Sequence, residues 1–457
     1  MKNIRTVPPA PEVITFLTNE YNKKWRELGF TYKQFLVARG YSNPAHNIHG
    51  MDDHTLGVSH NENIDLISIP RVPVTGELNV MVLLVDFPDL EGKLPKEHYE
   101  DLLFSKNSYP TGSMTDYYYE VSKEKVSIHG EVHGWFRMPE RYSYYTNGNS
   151  GLVPSDSRDA RRLAEDAVKT ALSHGTKFHS KLDNLNDGTV TALFIVHAGQ
   201  GAEKLNPNIS GNHIWSHKWQ MKKPQTVAPG LQAVTYLMVP QEALLGVCAH
   251  ELGHLAFQWD DFYDPNNSDG DNWDGNGMWD LMASGSYAGR ELRPVHPAGL
   301  HKSQHGWVEV ITINESTEGI TLDPLTRANG NLVKIRGLRY TKDQYLLLEN
   351  RCKEKYDSHL PGEGLLVWRI DEKFGNEKSA FPGMLLIQAD GNKDLDNPQD
   401  GNRGDSGDPF PGSHNITTLS DDGNISTSFS GSPSGVTLKN ILFNPETKQI
   451  KLDVIIK

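Results

Sequence analysis

Apolar, strand-like segments alternate with a helix-like segment in the first half of the chain, and this alternation restricts the possible folds most strongly. The strand-like run NVMVLLVDFPD is followed by RDARRLAEDAVKTALSH, which has a helical pattern and Ser155 or Asp156 as its expected N-cap, and then by the apolar run TVTALFIVHAG. Buried strands that alternate with helices are typical of a sheet covered by helices. We therefore predict an α/β domain over residues 71–310.

The two flanking regions have different patterns. Residues 311–457 contain short alternating segments such as QYLLLEN, GLLVWRI and QIKLDVIIK, separated by Gly, Pro, Asn and Asp. This pattern predicts an all-β, sandwich-like C-terminal domain. Residues 1–70 are polar and form an N-terminal extension, with one helix-like stretch from about Glu12 to Phe35.

Composition excludes several classes of protein. The formal net charge of −13 and the lack of a long basic run argue against nucleic-acid binding. No run of eighteen apolar residues occurs, so the sequence predicts no membrane-spanning helix. The first residues, MKNIRTVPPAPEV, lack the apolar stretch of a secretory signal. The oligomeric state cannot be inferred from these features.

The cysteine content limits the possible metal sites. Cys248 and Cys352 are the only cysteines in the sequence. Two thiols exclude a disulfide framework and an all-thiolate zinc site, and we expect both to be buried and free. Histidine and carboxylate side chains must therefore provide any metal ligands.

The segment PQEALLGVCAHELGHLAFQWDD, Pro240 to Asp261, contains the pattern HExxH. Pro240 at its start and its apolar positions predict a helix. On a helix, His250 and His254 lie one turn apart on one face, where both imidazoles can bind one zinc ion, and Glu251 is placed to act as general base. The alternative is a polar helix face with two solvated histidines, which the otherwise apolar helix disfavours.

A catalytic zinc requires a third protein ligand. Asp260 follows His254 by six residues, which is the metzincin spacing, so we predict Asp260 as that ligand. Metzincins usually have Gly three residues after the second His, whereas this chain has Phe257, which resists a left-handed backbone. A looser turn would instead use Asp261 or Asp264, and a gluzincin-like arrangement would use Glu291.

The extended segment HELGHLAFQWDDFYD, together with WDLMASGSYAG, resembles the catalytic signature of the immune inhibitor A family of bacterial metallopeptidases. Similar stretches include VLLVDFPD, LFIVHAGQGAE, IWSHKW, HPAGLHKSQHGW and GDSGDPFPG. They extend from about Val80 to near the C-terminus, over some four-fifths of the chain. The resemblance implies a metzincin-like catalytic domain.

The same resemblance implies a function. It implies a secreted zinc endopeptidase that hydrolyses protein or peptide substrates with a zinc-activated water, with Glu251 as general base and Met282 as an apolar floor beneath the metal. Tyr287 is a candidate oxyanion partner, with ordinary packing as the alternative. The alternative function is an inactive metallopeptidase scaffold that acts as a binding or adhesion protein, which the intact HExxH motif disfavours.

Two further regions give expectations. The acidic loops Asp264 to Gly277 and around Asp405 and Asp408 are of the oxygen-rich kind that binds calcium, and solvated acidic loops are the alternative. Residues 1–70 are expected to be a pro-segment-like extension, in which HNIHGMDDHT, with His49, Asp52, Asp53 and His54, is dense in ligand types. A structural extension without a regulatory role is the alternative.

Overall fold

The computed structural model describes residues 5–38, 73–152, 155, 158–263, 274–375, 382–396, 402–422, 425–429 and 433–457. Its strands are β1 (Arg5–Thr6), β2 (Gly76–Asp86), β3 (Val126–Arg137), β4 (Leu193–His197), β5 (His217–Ala228), β6 (Leu231–Pro240), β7 (Val310–Ile313), β8 (Thr317–Leu322), β9 (Leu332–Ile335), β10 (Gln344–Arg351), β11 (Gly364–Asp371), β12 (Met384–Leu386), β13 (Val436–Phe443) and β14 (Ile450–Ile456). Its α-helices are α1 (Pro11–Glu20), α2 (Tyr32–Ala38), α3 (Lys96–Phe104), α4 (Met114–Val121), α5 (Tyr142–Thr146), α6 (Ala160–Ser173), α7 (Pro207–Ser210), α8 (Leu245–Phe257) and α9 (Gly299–Gln304).

The first sheet has the strand order β1-β5-β6-β4-β2-β3. Strands β6, β4, β2 and β3 run parallel to one another, whereas β5 is antiparallel to β6 and β1 is antiparallel to β5. The helix α6 packs against β5 and β3, and α8 packs against β6. This mixed sheet with helices confirms the α/β character predicted for the region.

The predicted cap of α6 was wrong. Asp159 is the N-cap, and its Oδ1 accepts a hydrogen bond from the backbone N–H of Arg162 at 3.1 Å. Ser155 instead donates its backbone N–H to Asp159 Oδ2 at 3.1 Å, and Asp156 lies outside the described residues. The helix begins several residues later than predicted because Asp159 is adjacent to its first turn, where a capping carboxylate satisfies a free N–H group.

Residues 5–38 of the N-terminal extension pack on the α/β domain. In place of one helix from Glu12 to Phe35, α1 continues into a π-helical turn over Tyr21–Trp25, and α2 follows after a bend. Gly29 lies in this bend with φ of 78°, a backbone conformation that favours glycine. Leu17 and Phe35 belong to the same buried core as the first sheet.

The second sheet has the order β12-β11-β10-β9-β7, and the third has the order β13-β14-β8. Alternate residues of β10 face different cores. Leu346 and Leu348 share a core with the third sheet, whereas Tyr345 and Leu347 share one with residues before the second sheet, including Trp279. The second sheet is therefore buried on both faces, although the domain boundaries and the metzincin-like and sandwich-like arrangements stay predictions.

Both cysteines are buried and free, as predicted. Among the helices of the described residues, none is both long and apolar enough to cross a membrane.

Candidate metal centre

The helix α8 carries the HExxH residues and lies entirely in the protein interior. It begins at Leu245, so the prediction that it starts at Pro240 was wrong. Pro240 is the last residue of β6, and a short turn joins the strand to the helix. His250 and His254 lie on one face of α8, as the spacing predicted.

Three potential ligand atoms converge at this face. Nε2 of His250 and Nε2 of His254 are 3.0 Å apart. Oδ1 of Asp261 lies 3.2 Å from the first nitrogen and 3.1 Å from the second. All three residues are buried. The site thus places two imidazoles and one carboxylate around a single point.

Backbone carbonyls orient both imidazoles. Nδ1 of His250 lies 2.9 Å from the carbonyl oxygen of Leu281, and Nδ1 of His254 lies 2.6 Å from that of Trp259. A carbonyl oxygen only accepts hydrogen bonds, so each Nδ1 must be the donor. In the neutral tautomer that this donation selects, the lone pair of each Nε2 faces the shared point, which is the arrangement of a metal-bound histidine.

The carboxylate that joins the two imidazoles belongs to Asp261, and Asp260 is not a member of the group. The cause is the end of α8, where the left-handed residue lies one position later than in the metzincin motif. Phe257 remains helical, and the left-handed residue is Gln258, with φ of 58° and ψ of 35°. Because of this shift, the carboxylate that faces the histidines is at the seventh position after His254 and not at the sixth. This residue, Asp261, is the one predicted for a looser turn.

The other two alternatives for the third ligand are not supported. Glu291 pairs with Lys204, whose Nζ lies 2.8 Å from its Oε1, and it also accepts the backbone N–H of Leu244 at 3.3 Å. Asp264 lies outside the described residues.

Glu251 is fully buried beside this group. Neither of its carboxylate oxygens has a hydrogen-bond partner among the described residues. Burial raises its pKa well above the ordinary value, and the nearby charges of Asp261 and Glu203 raise it further. A buried carboxylate without partners is costly unless a ligand or a proton compensates it, so Glu251 is available for chemistry.

The arrangement of side chains fits zinc. Two imidazole nitrogens and a carboxylate oxygen would face one another at close range with no donor between them, a repulsive arrangement that a cation resolves. Two His and one carboxylate are a ligand set that catalytic zinc uses, with one position left open.

The turn beneath α8 includes Met282. A Cβ atom at Gly253 would lie 2.8 Å from Met282 Sδ, so the thioether is packed against the helix between the two histidines. This position agrees with an apolar floor beneath the metal, which remains a proposal for Met282.

Sequence reasoning missed Asp280, which holds this turn in place. Its Oδ1 accepts the backbone N–H groups of Met282 at 3.1 Å and Ala298 at 3.0 Å. Its Oδ2 accepts from the side chain of Asn276 at 2.9 Å. Asp280 thereby fixes Leu281, whose carbonyl orients His250. The only available signal was its position two residues before Met282.

The N-terminal extension lies next to the site. Strand β1 pairs with β5, the outer antiparallel strand, with Thr6 opposite His217. The carbonyl of Thr6 accepts from the hydroxyl of Tyr263, and that of Pro8 accepts from the hydroxyl of Tyr287.

Val7, between them, is 0% exposed, and its carbonyl accepts from Nε1 of Trp215 at 2.8 Å. The backbone of Val7 also lowers the pKa of Glu251, against the larger effect of burial. It is therefore close to that carboxylate, although the contact does not have normal hydrogen-bond geometry. An extended segment of the chain thus lies along the sheet edge beside the HExxH residues.

One acidic group is separate from this centre. Carboxylate oxygens of Asp390, Asp394 and Asp405 lie within 4.8 Å of one another. Asp408 is not in that group; it accepts Nε1–H of Trp279 at 2.9 Å, and burial raises its pKa to about 7. Calcium binding here remains a prediction, and most of the loop from Asp264 lies outside the described residues.

Comparison with known proteins gives the family. The model of the family described as Immune inhibitor A peptidase M6, catalytic domain, matches residues 75–311. Pre-pro-metalloprotease PrtV of Vibrio cholerae serotype O1 (strain M66-2) is 31% identical over 46% of this chain and 27% of its own length. Immune inhibitor A of Bacillus thuringiensis subsp. alesti is 29% identical over 46% of this chain and 36% of its own length.

The matched region therefore spans about a third of the length of these relatives, or less. The family model, however, matches more than half of this chain and includes all of α8 and Asp261. The chain belongs to the immune inhibitor A peptidase M6 family.

Proposed function

We propose that this protein is a zinc-dependent endopeptidase, with His250, His254 and Asp261 as the metal ligands and Glu251 as the general base. The observation that carries the proposal is the convergence of Asp261 Oδ1 on both Nε2 atoms, at 3.2 and 3.1 Å. Family membership and the name of PrtV, a metalloprotease, support the same reaction class.

The residues have separate roles in this proposal. Zinc, when bound, would polarise the scissile carbonyl and lower the pKa of water near it. Glu251, which is buried beside the ligands without a hydrogen-bond partner among the described residues, would take the proton of the attacking water and deliver it to the leaving amine. The hydroxyl of Tyr287, which donates to the carbonyl of Pro8, would in turn donate to the substrate carbonyl.

Substrate binding would use the edge of the first sheet. An extended peptide can add to a free strand edge through its backbone hydrogen bonds. Strand β1 occupies the edge of β5 in this way, and a protein substrate would take the same place when β1 is displaced. We expect an extracellular setting from the family resemblance.

The alternative function, an inactive scaffold that binds or adheres, is less well supported. Such a scaffold has no need for an unpartnered buried carboxylate, which costs stability, and Glu251 has that property here.

A digestion experiment separates the two functions. The protein is incubated with a peptide library, after treatment with a chelator and after zinc is restored. Cleavage that the chelator abolishes and zinc restores is expected. Binding of peptides without cleavage in zinc-loaded protein, measured also after removal of the N-terminal extension, would contradict the enzymatic proposal and support the scaffold.

We further propose that the N-terminal extension is pro-segment-like and restrains the site. The support is the position of Thr6, Val7 and Pro8 between β5 and the HExxH helix, where three consecutive carbonyls are held by side chains of the α/β domain. The ligand-type residues of the predicted pro-segment, His49, Asp52, Asp53 and His54, lie outside the described residues. In this proposal the extension restrains the site through its backbone carbonyls and the buried Val7, and none of its side chains binds the metal.

A further inference from the structure

A cavity of about 940 Å³ lies between the α/β domain and the C-terminal sheets, and no residue of the candidate metal centre lines it. One wall is formed by α4 and the turn after it, and the opposite wall by residues 326–330 and 355–356. The volume is in the range of small-molecule sites, roughly 300–1,000 Å³.

Basic side chains are concentrated in this cavity, although the chain has a net charge of −13. The basic lining residues are Lys106, Lys123, Lys125, Arg293, Arg327 and Lys355. Arg327 forms an ion pair with Glu354. Within the described part of the chain, no ion pair is found for the other five.

Neutral groups hold these five cations. Nζ of Lys123 donates to the carbonyls of Ala328, at 3.4 Å, and Gly330. Nζ of Lys125 donates to the carbonyl of Gly306, and Nζ of Lys355 donates to that of Thr326 at 3.0 Å.

Aromatic rings hold the remaining two. The guanidinium of Arg293 lies 5.7 Å from the ring centroid of Tyr356, and Nζ of Lys106 lies 5.8 Å from that of Tyr119. Neutral acceptors and rings fix a cation in position without cancelling its charge.

Four acidic residues also line the cavity, so its six basic side chains still outnumber the acidic ones, and three of the four acids are hydrogen-bonded by groups other than the lysines. Asp116 accepts two backbone N–H groups at the start of α4. Glu120 accepts from Nε2 of His296 at 2.9 Å, and Glu124 accepts from the hydroxyl of Tyr119 at 3.2 Å. Glu309 is the fourth, and although no ion pair is found for it among the described residues, its charge raises the pKa of Lys123 against the larger lowering effects.

Three cations form a closer subset. Burial and the charges of Lys125 and Lys355 together lower the pKa of Lys123 to about 8, with a smaller opposing effect of Glu309. Lys123 and Lys355 also have φ values of 53° and 52°, a left-handed conformation that costs roughly 1 kcal/mol or more for each residue. Strained residues with mutually repelling charges are typical of a ligand clamp.

We propose that this cavity binds a small anion with phosphate or carboxylate groups, held by Lys123, Lys125 and Lys355. Ammonium groups bind such oxygens as point charges. A nucleic acid is disfavoured because its extended charge would be repelled by the acidic chain. The site is independent of the metal centre.

The test measures binding of inorganic phosphate to the full chain by the ³¹P line width, with succinate as a competing carboxylate in a second arm. We expect saturable binding in the unmodified protein. Lys125→Gln combined with Lys355→Gln should raise the Kd at least about tenfold. The matched control, Lys439→Gln with Lys451→Gln, changes the net charge equally on β13 and β14 and should leave the Kd unchanged.

If the double variant does not fold, a single substitution at the rim of the cavity tests the same proposal. Lys106→Glu, at an exposed rim position, should weaken binding by about threefold or more through charge alone. If succinate competes with phosphate, the cavity is a general anion site. If succinate does not compete, the cavity is a phosphate site. An unsaturable signal, or equal Kd values in the cavity variants and the control, would overturn the proposal.

Discussion

The carboxylate oxygen Oδ1 of Asp261 lies 3.1 Å from Nε2 of His254, seven residues earlier in the chain. The pairing depends on the end of α8. Gln258 takes the left-handed conformation, and its backbone N–H and that of Trp259 both reach the carbonyl of Gly253. This helix end turns the chain back so that Asp261 faces the histidines.

Asp261→Asn should lower zinc affinity at least about 100-fold, because it replaces an anionic ligand with a neutral amide, a larger change than the loss of an outer contact. The measurement is competition with a chromogenic chelator. Asp260→Asn is the matched control and should bind zinc as the unmodified protein does. The reverse order of the two affinities would assign the third ligand to Asp260.

Gly253→Ala should destabilise the protein by about 1–3 kcal/mol, since the added methyl meets Met282 and Trp259 in a packed interior. A Cβ at this position would lie 2.8 Å from Met282 Sδ and 2.9 Å from a ring carbon of Trp259. Denaturant unfolding measures the change. Adding Met282→Ala should recover part of the loss, and strictly additive losses would mean that the two residues do not compete for space.

Val7→Gly should increase peptidase activity. The substitution removes a fully buried side chain from the N-terminal segment beside α8. This should weaken the binding of that segment to the α/β domain by about 2 kcal/mol. The fraction of molecules in which the segment has left the site should then rise by about 30-fold. Initial rates on a peptide substrate measure the effect. Thr15→Gly, at an exposed position of the same extension, should not change them. Equal rates for all three proteins, each loaded with zinc, would leave the extension with a structural role only.

The buried pair of Arg351 and Asp357 should make stability depend on acid pH. Burial alone would raise the pKa of Asp357, but Arg351, 2.7 Å away, holds it at about 2. This value is below the roughly 3.9 of an unfolded Asp, so the carboxylate stabilises the fold above about pH 4. That contribution, about 3 kcal/mol, is lost as the pH falls from about 4 towards 2.

Asp357→Asn should therefore lose less stability than the unmodified protein when the pH falls from about 5 to about 2.5. At neutral pH the same variant should be less stable than the unmodified protein by about 3 kcal/mol. Asp422→Asn, at an exposed position, is the control. An unchanged pH dependence in Asp357→Asn would show that the pair does not titrate in this range.

The regular elements could be predicted where one local pattern decides them. The apolar run in β2 and the spacing of His250 and His254 are such patterns, and both predictions were confirmed. The start of α8 was wrong because Pro240 is compatible with a strand end as well as with a first helical turn.

The third carboxylate and the supporting residues could not be fixed in this way. Asp260 and Asp261 differ by one position, and the choice depends on which residue takes the left-handed conformation at the helix end. The role of Asp280 depends on backbone groups of Met282 and of Ala298, eighteen residues later. The pairing of β1 with β5 joins residues more than two hundred positions apart, which local sequence does not specify.

The most direct test of the proposed reaction is the Glu251→Gln variant, compared for zinc content and for peptide hydrolysis with the unmodified protein and with Glu97→Gln, an exposed matched control. Each is measured with and without Val7→Gly, so that the extension does not mask activity. We expect zinc content to be unchanged and hydrolysis to fall by about 10²–10⁴-fold in Glu251→Gln alone. Undiminished hydrolysis in zinc-loaded Glu251→Gln would contradict the assignment of Glu251 as general base.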